Sequence, residues 1–220
     1  MKRNIDLAEI SDGRFYDIND MAKLGCGECA GCSACCHGMG NSIVLDPLDV
    51  YWICQRLGKG FKELLEEHFE LNVVDGIILP NLKLAGSEEA CTFLNAEGRC
   101  SIHDSRPGVC RLFPLGRYYE NGDYKYFLQV NECQKTNRTK VKVGKWIDTP
   151  DYPHYREFIL QWHYFLNKTE ERIANAKEEE FGKQCCMLIL QLFFMKDYDT
   201  TGDFYGQFRE RLQFAEDAIL

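Results

Sequence analysis

Long hydrophobic runs are missing from this chain of 220 residues. The longest, Cys185 to Leu190 and on past Gln191 to Met195, reaches about half the length a bilayer-crossing helix needs. The opening stretch, Met1-Lys2-Arg3-Asn4-Ile5-Asp6-Leu7, has two cations but neither an apolar core nor a small-residue cleavage site. No secretory signal is therefore expected. Both absences point to a cytoplasmic protein with no membrane partner. Proline is scarce, at 6 residues, while 45% of residues are hydrophobic, which excludes a mainly disordered chain. Surplus positive charge is also lacking. A formal net charge of −8 argues against a general nucleic-acid binder, so no nucleic-acid partner is expected. There are no internal repeats and no low-complexity tract.

Cysteine is what the chain has in excess. Its 12 cysteines are about twice or more what an intracellular enzyme of this size carries. Cytosolic thiols are kept reduced, so clustered cysteines there are more often metal ligands than disulfides. Charge is uneven as well. Residues 91–145 carry a net +5, between an acidic first stretch, 1–90, at −7 and an acidic last stretch, 146–220, at −6. The basic third holds four cysteines. Its cations either offset metal-bound thiolates or form a solvated basic loop around residues 135–142.

Residues 1–24 give weak signals and read as an arm. Residues 25–40 form a loop of small residues around cysteines. Asp46 and Pro47 predict a helix start, with Val50, Ile53, Cys54 and Leu57 along it and Gly58 as its stop. A second helix is expected from Phe61 to Phe69. Cys91 to Leu94 and Arg99 to Ile102, flanking Asn95-Ala96-Glu97-Gly98, read as a small hairpin. A short helix carrying Cys110 and Arg111 should follow Arg106-Pro107 and stop before Pro114. Asn121-Gly122 signals a second hairpin. Helical segments are expected near 153–167, 169–196 and 203–217, with Phe158, Trp162, Phe165 and Phe193-Phe194 as core.

The chemistry sits in the thiols. C-x-x-C steps chain from Cys26 through Cys29 and Cys32 to Cys35, with Cys36 adjacent. The pair between each two cysteines forms a tight turn, which brings both sulfurs to one ion or cluster. Thiolate selects zinc or iron–sulfur over hard cations. Cys91, Cys100, Cys110 and Cys133 form a sparser second group. Nine thiols exceed one tetrahedral site and serve either one cluster with spares or two centres. The directly doubled Cys35-Cys36 suggests ligands to two different metals. Cys54, Cys185 and Cys186 lie in helical patterns and read as small core residues. His37 and His103, near the cysteines, read as packing or hydrogen-bonding groups more than as ligands. His68, His154 and His163 read as structural. Glu178-Glu179-Glu180 reads as a solvated helix face, and no catalytic acid–base pair is assigned.

Cys29-Ala30-Gly31-Cys32-Ser33-Ala34-Cys35-Cys36 is a full C-x-x-C-x-x-C-C. It is followed by Cys100-Ser101-Ile102-His103-Asp104-Ser105-Arg106-Pro107-Gly108-Val109-Cys110-Arg111-Leu112-Phe113-Pro114, which matches C-x-I-[YH]-x-x-R-P-x-x-C-R-x-F-P at every fixed position. Together these blocks resemble the YkgJ-like CxxCxxCC cysteine-cluster family of zinc- or iron-chelating proteins, related to the cluster region of flagellin lysine N-methylases. The resemblance covers roughly residues 26–133. It implies metal chelation by Cys29, Cys32, Cys35, Cys36, Cys91, Cys100 and Cys110, with Cys26 as an extra step and Cys133 as a late ligand. Arg106, Arg111 and Arg117 could offset the charge of a thiolate-held cofactor, Arg106 and Arg111 foremost. The methylase link implies a role in protein modification, although no methyl-donor site of the Gly-rich strand–turn–helix kind is recognisable.

The expected architecture is α+β. A small irregular cysteine-rich metal domain of hairpins and short helices spans 1–145, and a helical extension at 146–220 packs on it. The preferred cofactor is an iron–sulfur cluster, such as 4Fe-4S, serving electron transfer or lysine modification of a protein such as flagellin. The partner would be a protein substrate or a redox partner. The alternative is a zinc-stabilised binding module without turnover.

Overall fold

A computed structural model of the chain describes residues 6–25, 27, 32–135 and 137–220. The fold is α+β, with helices and small antiparallel sheets. In chain order, α1 (Leu7–Ile10) leads into β1 (Ser11–Tyr16) and β2 (Met21–Gly25). A 3-10 turn at Ala34–Cys36 precedes α2 (Pro47–Leu57), α3 (Phe61–Glu67), β3 (Phe69–Val74) and β4 (Ile77–Leu82). Short strands β5 (Leu84–Ala85) and β6 (Ala90–Cys91) precede a second 3-10 turn at His103–Ser105 and α4 (Gly108–Leu112). Then come β7 (Leu115–Glu120), β8 (Asp123–Gln129), β9 (Thr139–Lys142) and α5 (Val143–Ile147). The chain ends in α6 (Tyr152–Ala176), α7 (Glu179–Ile189) and α8 (Phe204–Ile219).

Two compact units share this chain, and each is assembled from two segments. One holds Lys2–Ile43 and Leu84–Asp151; the other holds Val44–Lys83 and Tyr152–Leu220. A boundary at residue 145 therefore describes the division poorly. Residues 44–83, expected inside the cysteine-rich block, group with the C-terminal helices. Their own apolar faces explain this: Leu48, Val50, Ile53, Phe61, Leu64, Phe69, Ile77 and Leu79 are all buried.

In the helical unit, Asp46 caps α2 through a reciprocal box with Asp49, Pro47 opens the first turn, and Gly58 closes the helix at φ 63°. Asp75 and Gly76, at φ 49° and 83°, make the tight turn joining β3 to β4. That Asp-Gly pair between two apolar runs is a strong local hairpin signal, absent from the turns expected above. The second expected helix stops at Glu67, because Phe69 is taken up by β3. Further along, α6 runs unbroken across residue 168 with Phe165 and Thr169 buried, and ends where Lys177 turns to φ 55°. Past Ile189 the helix widens into a π turn at Leu190–Met195. The consecutive Phe193 and Phe194 on this turn are both buried. Trp162 meets Phe193 and Phe194 at 5.0 and 6.1 Å, and Phe208 meets Phe158 at 4.6 Å. The expected aromatic core is present.

In the other unit, residues 11–16 and 21–25, within the stretch expected to pack as an arm, are built into sheets. Strand β1 pairs with β8 in a three-stranded sheet of order β1-β8-β7, and β2 pairs with β9. Asn121 and Gly122, at φ 52° and 79°, close the β7–β8 hairpin as expected. Gly25 lies so close to β9 that an added Cβ would stand 2.2 Å from Thr139 Oγ1. Glycine there clamps the residue before Cys26 against the strand that follows Cys133.

Candidate metal centre

The C-x-x-C-C segment enters the described structure at Cys32. Cys35 and Cys36 sit on the 3-10 turn, closed by the Cys36 amide donating to Ser33 O at 2.8 Å. His37 then bridges to Ala90, and the Gly38 amide donates to Glu89 O at 3.1 Å. That contact brings the doubled cysteines beside β6, which ends in Cys91. From Cys91 the chain turns back on itself. The Leu94 amide donates to Cys91 O at 2.9 Å, Leu94 bridges to Cys100, and the Ser101 amide donates to Phe93 O at 2.8 Å. The expected hairpin is present in short form, with the Asn95 amide donating to Arg99 O at 2.8 Å and Asn95 Oδ1 accepting from the Arg99 amide. Cys110 follows on α4.

Thiols from both halves of the motif lie within electrostatic reach: Cys35, Cys91 and Cys110 act on Cys36, and Cys35 acts on Cys91 and Cys100. Cys36 donates a hydrogen bond to Cys35, which holds Cys35 well below the ordinary thiol range, with Arg106 adding to the effect. Cys36 is pushed up in turn by that bond, by burial, and by Cys35, Cys91 and Cys110 nearby. Burial also raises Cys91 and Cys100, the latter eased by Arg106 and Arg99. Among the described residues, no three His, Cys, Asp or Glu side chains stand at ligating distance of a common point. The thiols gather within electrostatic reach, short of a finished coordination shell.

The expected ligands divide accordingly. Cys26 and Cys29 lie outside the described residues. Cys32 and Cys133 are half-buried, Cys133 in the coil after β8. The two arginines divide their work. Arg106 faces the thiols: its charge acts on Cys35 and Cys100, its Nη1 donates to His103 Nε2, and its buried Nε makes no hydrogen bond. Arg111 is buried and donates to three carbonyls, at Arg106 (3.1 Å), Asp148 (3.0 Å) and Asp104. Through these bonds it clamps the local backbone. Arg117 lies over the Tyr124 ring at 5.6 Å, on the sheet.

His103 accepts from Arg106 through Nε2, and burial together with that guanidinium lowers its pKa. This is the hydrogen-bonding role expected of it. Cys185 and Cys186 are buried, and Cys186 sits on the turn before β4, accepting from the Ile78 amide at 3.4 Å. Cys54 is half-buried on α2, with burial and nearby carboxylates pushing its thiol up to about 11.

These thiols fit a thiolate-held metal: soft donors, drawn from two separated stretches, with a guanidinium beside them. Over residues 28–139 the sequence matches the CxxCxxCC family, described as a putative zinc- or iron-chelating domain. The chain belongs to this family. The matched span takes in every described thiol of the site and ends at the start of β9. Comparison with curated proteins and with solved structures finds no match. Within the CxxCxxCC span, residues 44–83 are an excursion into the helical unit between the two cysteine blocks. No described helix is long and apolar enough to cross a membrane.

Proposed function

We propose that this CxxCxxCC protein holds an iron–sulfur cluster, serving electron transfer or the modification of lysine on a protein partner. The observation that carries the reading is the gathering of Cys35, Cys36, Cys91, Cys100 and Cys110 into one electrostatically linked group beside Arg106. An all-thiolate pool drawn from two separated stretches suits the four-cysteine ligation of an iron–sulfur cluster. Thiolates bound to a metal leave net negative charge, and the Arg106 guanidinium is placed to offset it. Cys29, Cys32, Cys35, Cys36, Cys91, Cys100 and Cys110 form the ligand pool. The bound cluster would supply one-electron chemistry. The chain's own part is to present the thiolates, balance their charge and fix the loops through Arg111.

The test is anaerobic purification followed by iron, zinc and acid-labile sulfide analysis, with absorbance near 400 nm. Iron with about one sulfide per iron and a brown colour are expected. Colourless protein with zinc and no sulfide would contradict the iron–sulfur reading and favour a zinc-stabilised binding module.

A further inference from the structure

One face of the β2–β9 ribbon is exposed. Alternation along β2 exposes Met21 and Lys23 while burying Ala22 and Leu24. The antiparallel register sets Met21 opposite Lys142 and Lys23 opposite Lys140. All four side chains are exposed, Met21 at 52%, and Lys145 on the following helix is exposed as well. Among the described residues, none of these lysines has an ion-pair partner. The carboxylates just ahead of β2 are engaged elsewhere: Asp17 pairs with Lys125 at 3.9 Å, and Asp20 accepts from the Asp17 amide at 2.7 Å. Like charges directly opposed on a strand pair repel. In a chain of net charge −8, three lysines crowded on a two-stranded ribbon are a local reversal of sign.

We propose that this face docks an acidic protein surface. Charge complementarity selects an anionic partner, and contact with carboxylates relieves the repulsion between Lys23 and Lys140. The exposed thioether of Met21 inside the cationic patch suits a polypeptide that sets apolar side chains among its carboxylates. A nucleic acid would meet few cations here, against the net negative charge of the whole chain. The ribbon also runs into the thiol region: β2 ends at Gly25, directly before Cys26, and β9 begins shortly after Cys133. The proposal goes beyond the metal reading and is independent of which metal is held.

The experiment uses the full-length protein and a fluorescently labelled poly-glutamate peptide interrupted by leucines, followed by anisotropy at low and moderate salt. Two variants of equal charge change are compared. K23E/K140E/K142E alters the face, and K62E/K168E/K183E alters exposed lysines elsewhere. The first should bind the peptide about tenfold or more weakly than the unaltered protein, and the second within about twofold of it. K140A/K142A, which adds no repulsion, should weaken binding by a smaller step, and Met21→Ala should weaken it at unchanged charge. The proposal is overturned if the unaltered protein does not bind the peptide, or if both triple variants weaken it equally. It is also overturned if a single-stranded oligonucleotide binds this face more tightly than the peptide. Sedimentation of the unaltered protein alone is the last arm: self-association abolished by K23E/K140E/K142E would mean the occupant is a second copy, against the proposal.

Discussion

The two units are nearly equal in length but are held together differently. Among the described residues, 27 buried apolar residues belong to the helical unit and 14 to the cysteine-bearing unit. The helical unit has an aromatic core built on Phe158, Trp162, Phe193 and Phe208, enough apolar burial to order long helices. In the cysteine-bearing unit, a tyrosine-rich sheet supplies the core on one side, while residues 32–37 and 89–113 are mostly turns and short helices. One device recurs in both. Arg111 in one unit and Arg211 in the other are buried, and each donates to three backbone carbonyls. Arg211 ties the Leu192, Lys196 and Asp197 carbonyls and lies 3.5 Å over the Tyr198 ring. The difference teaches that apolar burial carries most of the order in one unit, while the other gathers thiols suited to a metal.

The sharpest way to break this contrast is to exchange a thiol in each unit. Cys110→Ser should lose most of the bound metal and destabilise its unit strongly, since a structural metal contributes folding free energy on the order of 10 kcal/mol. Cys186→Ala should keep the metal stoichiometry and cost about 1 kcal/mol for its hydrogen bonds to Ile78 and Gly76. Metal analysis and thermal unfolding of both variants decide the matter; equal metal loss in the two would erase the distinction.

Next in size is Phe208→Ala. It should destabilise the helical unit by about 3–5 kcal/mol in chemical denaturation while metal per folded chain stays unchanged. Loss of metal in this variant would mean the units do not hold their structure independently. Arg111→Lys keeps the charge but loses the planar fork. It should cost about 2–3 kcal/mol and lower metal retention, whereas Arg211→Lys should cost a similar amount with metal retained.

The sequence made some of this legible and hid the rest. The α2 caps, the Asn121-Gly122 turn and the aromatic helix faces were readable because each is a local signal whose physics acts within a few residues. The cysteine blocks were readable because their spacing is dense. The grouping of residues 44–83 with the C-terminal helices was not, because it depends on which apolar faces meet across about a hundred residues. Nor was the division of labour between Arg106 and Arg111. Both follow the same motif, and only the fold shows that one faces thiols while the other faces carbonyls. The pairing of β1 with β8 and of β2 with β9 is equally non-local, so the chain before Cys26 gave little signal.

The smallest expected effect is in pH. Burial lowers the pKa of His68 at the end of α3, outweighing the attraction of Glu67 at 3.6 Å. The folded protein thus takes up this proton less readily than the unfolded chain. The resulting stability is present above the ordinary histidine range and is lost as pH falls through it. Thermal unfolding at pH 7.5 and 5.5 should show lower stability at the acid end, with a shallower dependence in His68→Gln. An unchanged slope in that variant would assign the dependence to other groups.

The central claim, that thiolates from both cysteine blocks share one inorganic centre, is tested most directly by metal K-edge X-ray absorption on the anaerobically purified protein. The account predicts a nearest shell made of sulfur alone, at about 2.3 Å. A shell of oxygen or nitrogen donors would contradict it.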